Sequence, residues 1–275
     1  MGAQNQAIDL IEGTMLLTDT WPAMKLSRHS QNLETPEMQF KKFSAVMFDL
    51  GDTLFEPLDS FFITKNLQVV ASDARVDAKA DQLLSSFRAN RIRIERELSE
   101  SKSTFYLHRE FVQKVLSATF HSFGCSLSSE LLNQFCEAQR DAVVENLRPR
   151  RDCAKTLKAL RHGGYRLGIV SNIDNEWIEP IREKWELDLL VDEILSSEQA
   201  SSCKPDPSIF LQACRMISVK PQESLFVGDS FSNDVIGSRN VGMQPIWFDT
   251  GSVNLKQSET VQSVTELSEL VQVLG

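Results

Sequence analysis

The chain has 275 residues, 41% of them hydrophobic and 24% charged, the profile of a globular protein with one large domain or two modest ones. Its formal net charge of -9, without any sustained Lys/Arg cluster, argues against a nucleic acid or an anionic membrane as partner. No apolar run approaches the roughly 18 residues of a membrane span, and five scattered cysteines without CxxC spacing indicate neither a disulfide framework nor a zinc site.

Residues 1–42 are polar and weakly periodic, broken by Pro22 and Pro36, and read as an arm in which AIDLIEGTMLL suits one short amphipathic turn or two. No basic stretch leads into an apolar one there, and Asp9, Glu12 and Asp19 disfavour an organellar transit peptide, so a cytoplasmic protein is expected. From Phe43 the run FSAVMFDL is short, apolar and ends in an acid, which predicts a central strand with Asp49 at its carboxyl end. Between Pro57 and Arg148 no strand stands out. Apolar residues recur there at helical spacing, among them Leu83, Phe87, Ile94 and Leu98, then Phe111, Val112 and Val115, which predicts an all-helical insert over 57–148.

After Pro149 helix and strand signals alternate: a helix over Ala154–Arg161, a strand over Tyr165–Val170, a helix over Asn175–Trp185 and a strand over Val191–Leu195. A helix over Pro207–Met216, the strand SLFVGD, a helix to Asn240, the strand QPIWFD and a last helix over Val261–Val273 follow. Such alternation predicts an α/β fold, a Rossmann-like doubly wound parallel sheet, with a core of 43–56 and 149–275. Ligands of such sheets bind outside the carboxyl ends of the strands. Three residues stand there: Asp49 after AVMF, Ser171 after LGIV and Asp229 after LFVG.

With Lys204 in CKPDP, these residues resemble the four motifs of the haloacid dehalogenase-like (HAD) hydrolase superfamily, in the family's order and strand contexts, over roughly Phe43 to Asp249. The resemblance implies an Mg2+-dependent phosphatase of small phosphorylated metabolites. It makes Asp49 the catalytic nucleophile and gives Lys204 a catalytic and phosphate-binding role. Thr53, Ser171 and Asn172 become phosphate ligands, Asp49, Asp229 and the carbonyl of Gly51 become metal ligands, and Asp234 becomes one directly or through water, or else holds Lys204. The helical insert corresponds to the family's cap. Physical chemistry agrees: a carboxylate is a competent nucleophile toward phosphorus, but its attack on a phosphate dianion needs cations to screen the repulsion.

One departure qualifies this. Phosphatases of the superfamily read D-x-D-x-T, the second Asp acting as general acid and base, whereas here that position is Gly51 and the next acid is Asp52. One residue turns a side chain to the opposite side in extended backbone. Either Asp52 or a water takes over proton transfer, or the enzyme works without that acid on good leaving groups, or the chemistry is of the phosphonatase or dehalogenase type. Retention of Asp229 and Asp234 weighs against a dehalogenase. A phosphate-binding protein without turnover is the rival of another class.

Elsewhere the bland readings lead. Arg88, Arg91, Arg93 and Arg96 could face an anionic substrate, but Glu95, Glu97 and Glu100 suit them to a solvated, paired helix face. His29, His108, His121 and His162 lack metal spacing and read as surface or interface residues, and the pairs Phe61-Phe62 and Phe120-Phe123 read as cap core. Substrate identity and oligomeric state are not legible.

Overall fold

The computed structural model describes residues 43–101, 104–251 and 261–274, and the expected arm over 1–42 lies outside them. Strands β1 (Ala45–Phe48), β2 (Arg166–Ser171), β3 (Glu193–Ser196), β4 (Ser224–Gly228), β5 (Gln244–Phe248) and β6 (Ser263–Val264) form one sheet in the order β3-β2-β1-β4-β5-β6. Every pairing is parallel. This is the doubly wound order, with β1 central and the direction of winding reversing beside it.

Strands buried on both faces must be apolar throughout, and β1 is: Val46 and Phe48 join one cluster with Leu54, Ile169 and Val227, while Ala45 and Met47 join another with Val170 and Phe226. Helices α5 (Cys153–His162) and α6 (Asn175–Lys184) cover the first face through Leu157, Leu160, Ile178 and Ile181. After the short α7 (Ser197–Ala200), α8 (Pro207–Met216) covers the second through Ile209, Phe210 and Ala213. One further turn, α9 (Gly237–Asn240), leads toward β5.

Between β1 and α5 stand four helices, α1 (Ser60–Asp73), α2 (Ala80–Glu100), α3 (His108–His121) and α4 (Ser129–Asn146). They enclose an apolar cluster of their own, with Leu67, Leu83, Phe87, Ile94, Phe111, Val115, Phe120 and Phe135. Each fully buried side chain of this size contributes about 1.5–3 kcal/mol, enough for the insert to hold its own core. Phe120 is fully buried, but Phe61 is 62% exposed, so the aromatic pair at the start of α1 is only partly core. The arginines of α2 pair along the helix as a solvated face would, Arg91 with Glu95 and Arg93 with Glu97. The insert is entered and left side by side: Phe55 bridges Pro149, and the Glu56 amide donates to the Arg148 carbonyl at 2.9 Å.

The end of the chain departs from expectation. The predicted helix over Val261–Val273 is instead the edge strand β6 followed by α10 (Glu269–Leu274). The unpaired edge of β5 takes up Ser263 and Val264, and Glu269 accepts the amides of Thr265 and Glu266, which delays the helix.

Candidate active site

Asp49 follows β1 directly, and its amide still donates to the Val227 carbonyl at 2.9 Å, so the sheet itself sets where its carboxylate stands. Ser171 ends β2 on one side and Asp229 follows β4 on the other. The loops from β1, β2 and β4 thus meet at the winding reversal, where such sheets bind ligands.

Lys204 enters from 155 residues away: its Nζ lies 2.5 Å from Asp49 Oδ1. The same nitrogen is 2.8 Å from Asp234 Oδ1, and the side chains of all three residues are nearly or fully buried. Its backbone is clamped from both sides by Asn172, whose Oδ1 accepts the Lys204 amide at 2.7 Å and whose Nδ2 donates to the Lys204 carbonyl at 2.9 Å. Asp234 is seated in turn by the Ser230 amide, 3.0 Å from its Oδ2. Gly228 permits this approach, since a Cβ there would stand 2.3 Å from Asp234 Oδ2.

Thr53 is fully buried and serves Asp229 twice, donating to its Oδ1 at 3.2 Å and accepting its amide at 3.1 Å. Trp247 Nε1 donates to the Asp229 carbonyl at 3.0 Å. Arg150 braces the loop after β1: its Nε donates to the Thr53 carbonyl at 2.8 Å and its Nη2 to the Asp52 carbonyl at 2.6 Å. Its guanidinium lies 4.4 Å over the Phe248 ring.

Carboxylate oxygens of Asp49, Asp229 and Asp234 lie within 4.8 Å of one another. Burial, then the charges of Asp49 and Asp234, push the Asp229 carboxyl well above its ordinary value. Burial also raises Asp234, although Lys204 opposes it. Burial pulls the Lys204 ammonium down, but Asp234 and Asp49 outweigh it and hold the amine protonated. Three carboxylates against one ammonium leave uncompensated negative charge in a buried place, and the donors are all hard oxygens; this set fits a divalent cation of the magnesium type.

Gly51 is exposed with ordinary extended backbone, and a Cβ there would touch nothing within 4 Å. Asp52 beside it takes the left-handed conformation, φ 57°, at the mouth of the site. Its side chain is open to water yet crowded by protein, which with the charge of Asp49 raises its carboxyl, while Arg91 of α2 and Arg150 pull it down.

The structure brings Asp49, Thr53, Ser171, Asn172, Lys204, Asp229 and Asp234 to one end of the sheet, with Gly51 and Asp52 at its rim. Thr53 and Asn172 were expected at phosphate; their side chains are engaged within the protein, on Asp229 and Lys204. Sequence reasoning passed over Arg150, which in RPRR reads as a surface charge, and Asp174, which reads as an ordinary helix N-cap. His108, expected at the surface or an interface, lies between insert and sheet: its ring packs 5.1 Å from that of Trp177 on α6, and burial, helped by Arg91, lowers its imidazole to about 4.

A family model described as haloacid dehalogenase-like hydrolase matches residues 46–248. The chain belongs to that family, and its parallel sheet with helices is the fold of a HAD hydrolase. It is 36% identical over 126 residues to a glyceraldehyde 3-phosphate phosphatase of Pyrococcus furiosus, a match spanning 44% of this chain and 52% of that protein. To the Methanothermobacter thermautotrophicus protein of the same name it is 27% identical over 84% of this chain and 99% of the relative. Among solved structures, the HAD phosphatase from Thermococcus onnurineus superposes with a TM-score of 0.59 at 25% identity, covering 84% of this chain and 98% of that one. The magnesium-bound HAD hydrolase YfnB from Bacillus subtilis reaches 0.68 at 21% identity, over 86% and 100% of the two chains. Among the described residues no helix is long and apolar enough to cross a membrane.

Proposed function

We propose that this chain is a phosphatase of small phosphorylated metabolites working through an aspartyl-phosphate on Asp49. The observation that carries the reading is the convergence of Asp49, Lys204, Asp229 and Asp234, in which the Asp49 carboxylate lies beside one ammonium and two further acids. Relatives named as glyceraldehyde 3-phosphate phosphatases and PpaX pyrophosphatases support phosphoryl chemistry.

Asp49 attacks phosphorus, the bond to the leaving oxygen breaks, and that oxygen takes a proton; water then attacks the acyl phosphate, releasing inorganic phosphate and restoring Asp49. Lys204 offsets negative charge on the transferred group, and Ser171 at the end of β2 donates its hydroxyl to a phosphate oxygen. Thr53 and Asn172 support this by holding Asp229 and Lys204. Asp49, Asp229, Asp234 and the Gly51 carbonyl would hold Mg2+, which when bound screens the repulsion between carboxylate and phosphate. Asp52, with its raised carboxyl at the mouth, gives the proton to the leaving oxygen and later accepts one from water.

The division into a core of 43–56 and 149–275 and a cap over 57–148 belongs to the same proposal, supported by the separate apolar cluster of the insert. The test is hydrolysis of p-nitrophenyl phosphate and a panel of acyl and sugar phosphates by wild type and Asp49→Asn, with Mg2+ and then with EDTA. Turnover confined to metal-loaded wild type is expected. Metal-dependent turnover on none of these substrates would overturn the reading in favour of a phosphate-binding protein.

A further inference from the structure

Asp174 occupies the N-cap position of α6, yet its side chain makes no capping bond to α6. The Asn175 amide is instead taken by Glu198, at 2.6 Å. The carboxylate of Asp174, 2% exposed, turns across to the insert and accepts the first amides of α3: His108 to Oδ1 and Arg109 to Oδ2, each at 2.7 Å. The residue at α3's own N-cap is Leu107, whose side chain has no polar atom to offer. So two of the free amides of α3, and the positive end of its dipole, are satisfied from the sheet domain rather than from the insert.

Two further links run beside this one. Arg109 donates to both carboxylate oxygens of Glu176 on α6, at 3.0 and 3.1 Å. The segment before α3 lies over the Lys204 loop, with the Cys203 amide on the Thr104 carbonyl at 2.8 Å and the Cys203 thiol on the Tyr106 carbonyl at 3.5 Å. The α3 end of the insert is thereby tied to the loop after β2 and to the loop carrying Lys204, beside Asp49. An insert that swings away leaves α3 uncapped and Asp174 without its partners.

We propose that Asp174 is a positioning residue, a latch that caps α3 in trans and holds the helical insert closed over Asp49 and Lys204. This rests on the phosphatase reading for its kinetic consequence but not for its structural one. It differs from a plain stabilising role because the cap is supplied by another part of the chain, so helix stability and closure can be separated.

The experiment compares Asp174→Ala, Asp174→Asn and the double variant Asp174→Ala/Leu107→Ser, whose serine gives α3 a cap of its own. Amide hydrogen exchange at His108 and Arg109, melting temperature, and kcat and KM for p-nitrophenyl phosphate with Mg2+ are measured for each. In Asp174→Ala the two amides should exchange at least tenfold faster, KM should rise and kcat/KM should fall at least tenfold. Asp174→Asn, which keeps an acceptor oxygen, should recover part of this. The double variant should regain the melting temperature while kcat/KM stays low. Recovery of kcat/KM along with melting temperature overturns the latch, as does unchanged exchange in Asp174→Ala. If wild type shows no turnover, the phosphatase reading fails by itself, and unchanged exchange in Asp174→Ala would still overturn the latch.

Discussion

Lys204 Nζ and Asp49 Oδ1 stand 2.5 Å apart in a place from which water is nearly excluded, with Asp234 Oδ1 at 2.8 Å from the same nitrogen. Removing the amine leaves two buried carboxylates facing each other, and breaking such a pair costs about 3–5 kcal/mol. Lys204→Met is therefore expected to lower the urea midpoint sharply and to cut turnover at least a hundredfold. Lys204→Arg, keeping the charge, should keep more of the stability than of the activity, because its planar fork does not fit the same two oxygens. Equal losses in both variants would contradict the ion-pair account.

Gly228 is required by contact rather than by backbone conformation, since its Cβ would fall 2.3 Å from Asp234 Oδ2. Gly228→Ala should push Asp234 off Lys204 and reduce turnover by more than tenfold. Gly51→Ala, where a Cβ meets nothing, is the matched control for the added methyl and should leave the melting temperature within about a degree, a shift well below 1 kcal/mol.

Proton transfer at the mouth is tested by a pair of substitutions. Asp52→Asn keeps a side chain that tolerates the left-handed backbone, so the fold should hold while turnover of poor leaving groups drops roughly a hundredfold. Gly51→Asp restores the family's usual acid on open, extended backbone and should raise turnover of alkyl phosphates more than of aryl phosphates. An Asp52→Asn enzyme with unchanged rates on both would remove Asp52 from the mechanism.

The Lys204 loop also depends on Asp206, which starts α8 by accepting the Ser208 amide at 2.9 Å and takes the Ser202 hydroxyl at 3.0 Å. Burial works to raise its carboxyl, but these bonds from Ser208 and Ser202 prevail and hold it below the ordinary carboxylate value. A depressed carboxylate contributes stability above its unfolded value, near 4, and loses it as pH falls through the lower folded one. Asp206→Ala should cost about 1 kcal/mol at pH 7, a deficit that shrinks below roughly pH 4. A deficit independent of pH in urea titrations would mean that the ionised carboxylate is not what counts.

Much of the molecule was legible in order along the chain. Apolar runs ending in an acid or serine marked β1, β2 and β4, and helical spacing of Leu83, Phe87 and Ile94 marked the insert, because both periodicities depend on neighbours a few residues away. The end of the chain was misread for the opposite reason: Ser263 and Val264 are strand only because the edge of β5 is open beside them.

By itself, the sequence determined which residues stand at strand ends, and with them the family and the group of acids around one lysine. What those residues do to one another was decided only by the tertiary structure. Thr53 turns to Asp229 across 176 positions, Asn172 clamps Lys204 across 32, and Asp174 caps a helix 66 positions before it instead of its own. A hydrogen bond needs donor and acceptor within about 3 Å, and for such pairs that distance is set by which strands lie side by side in the sheet and where the insert docks.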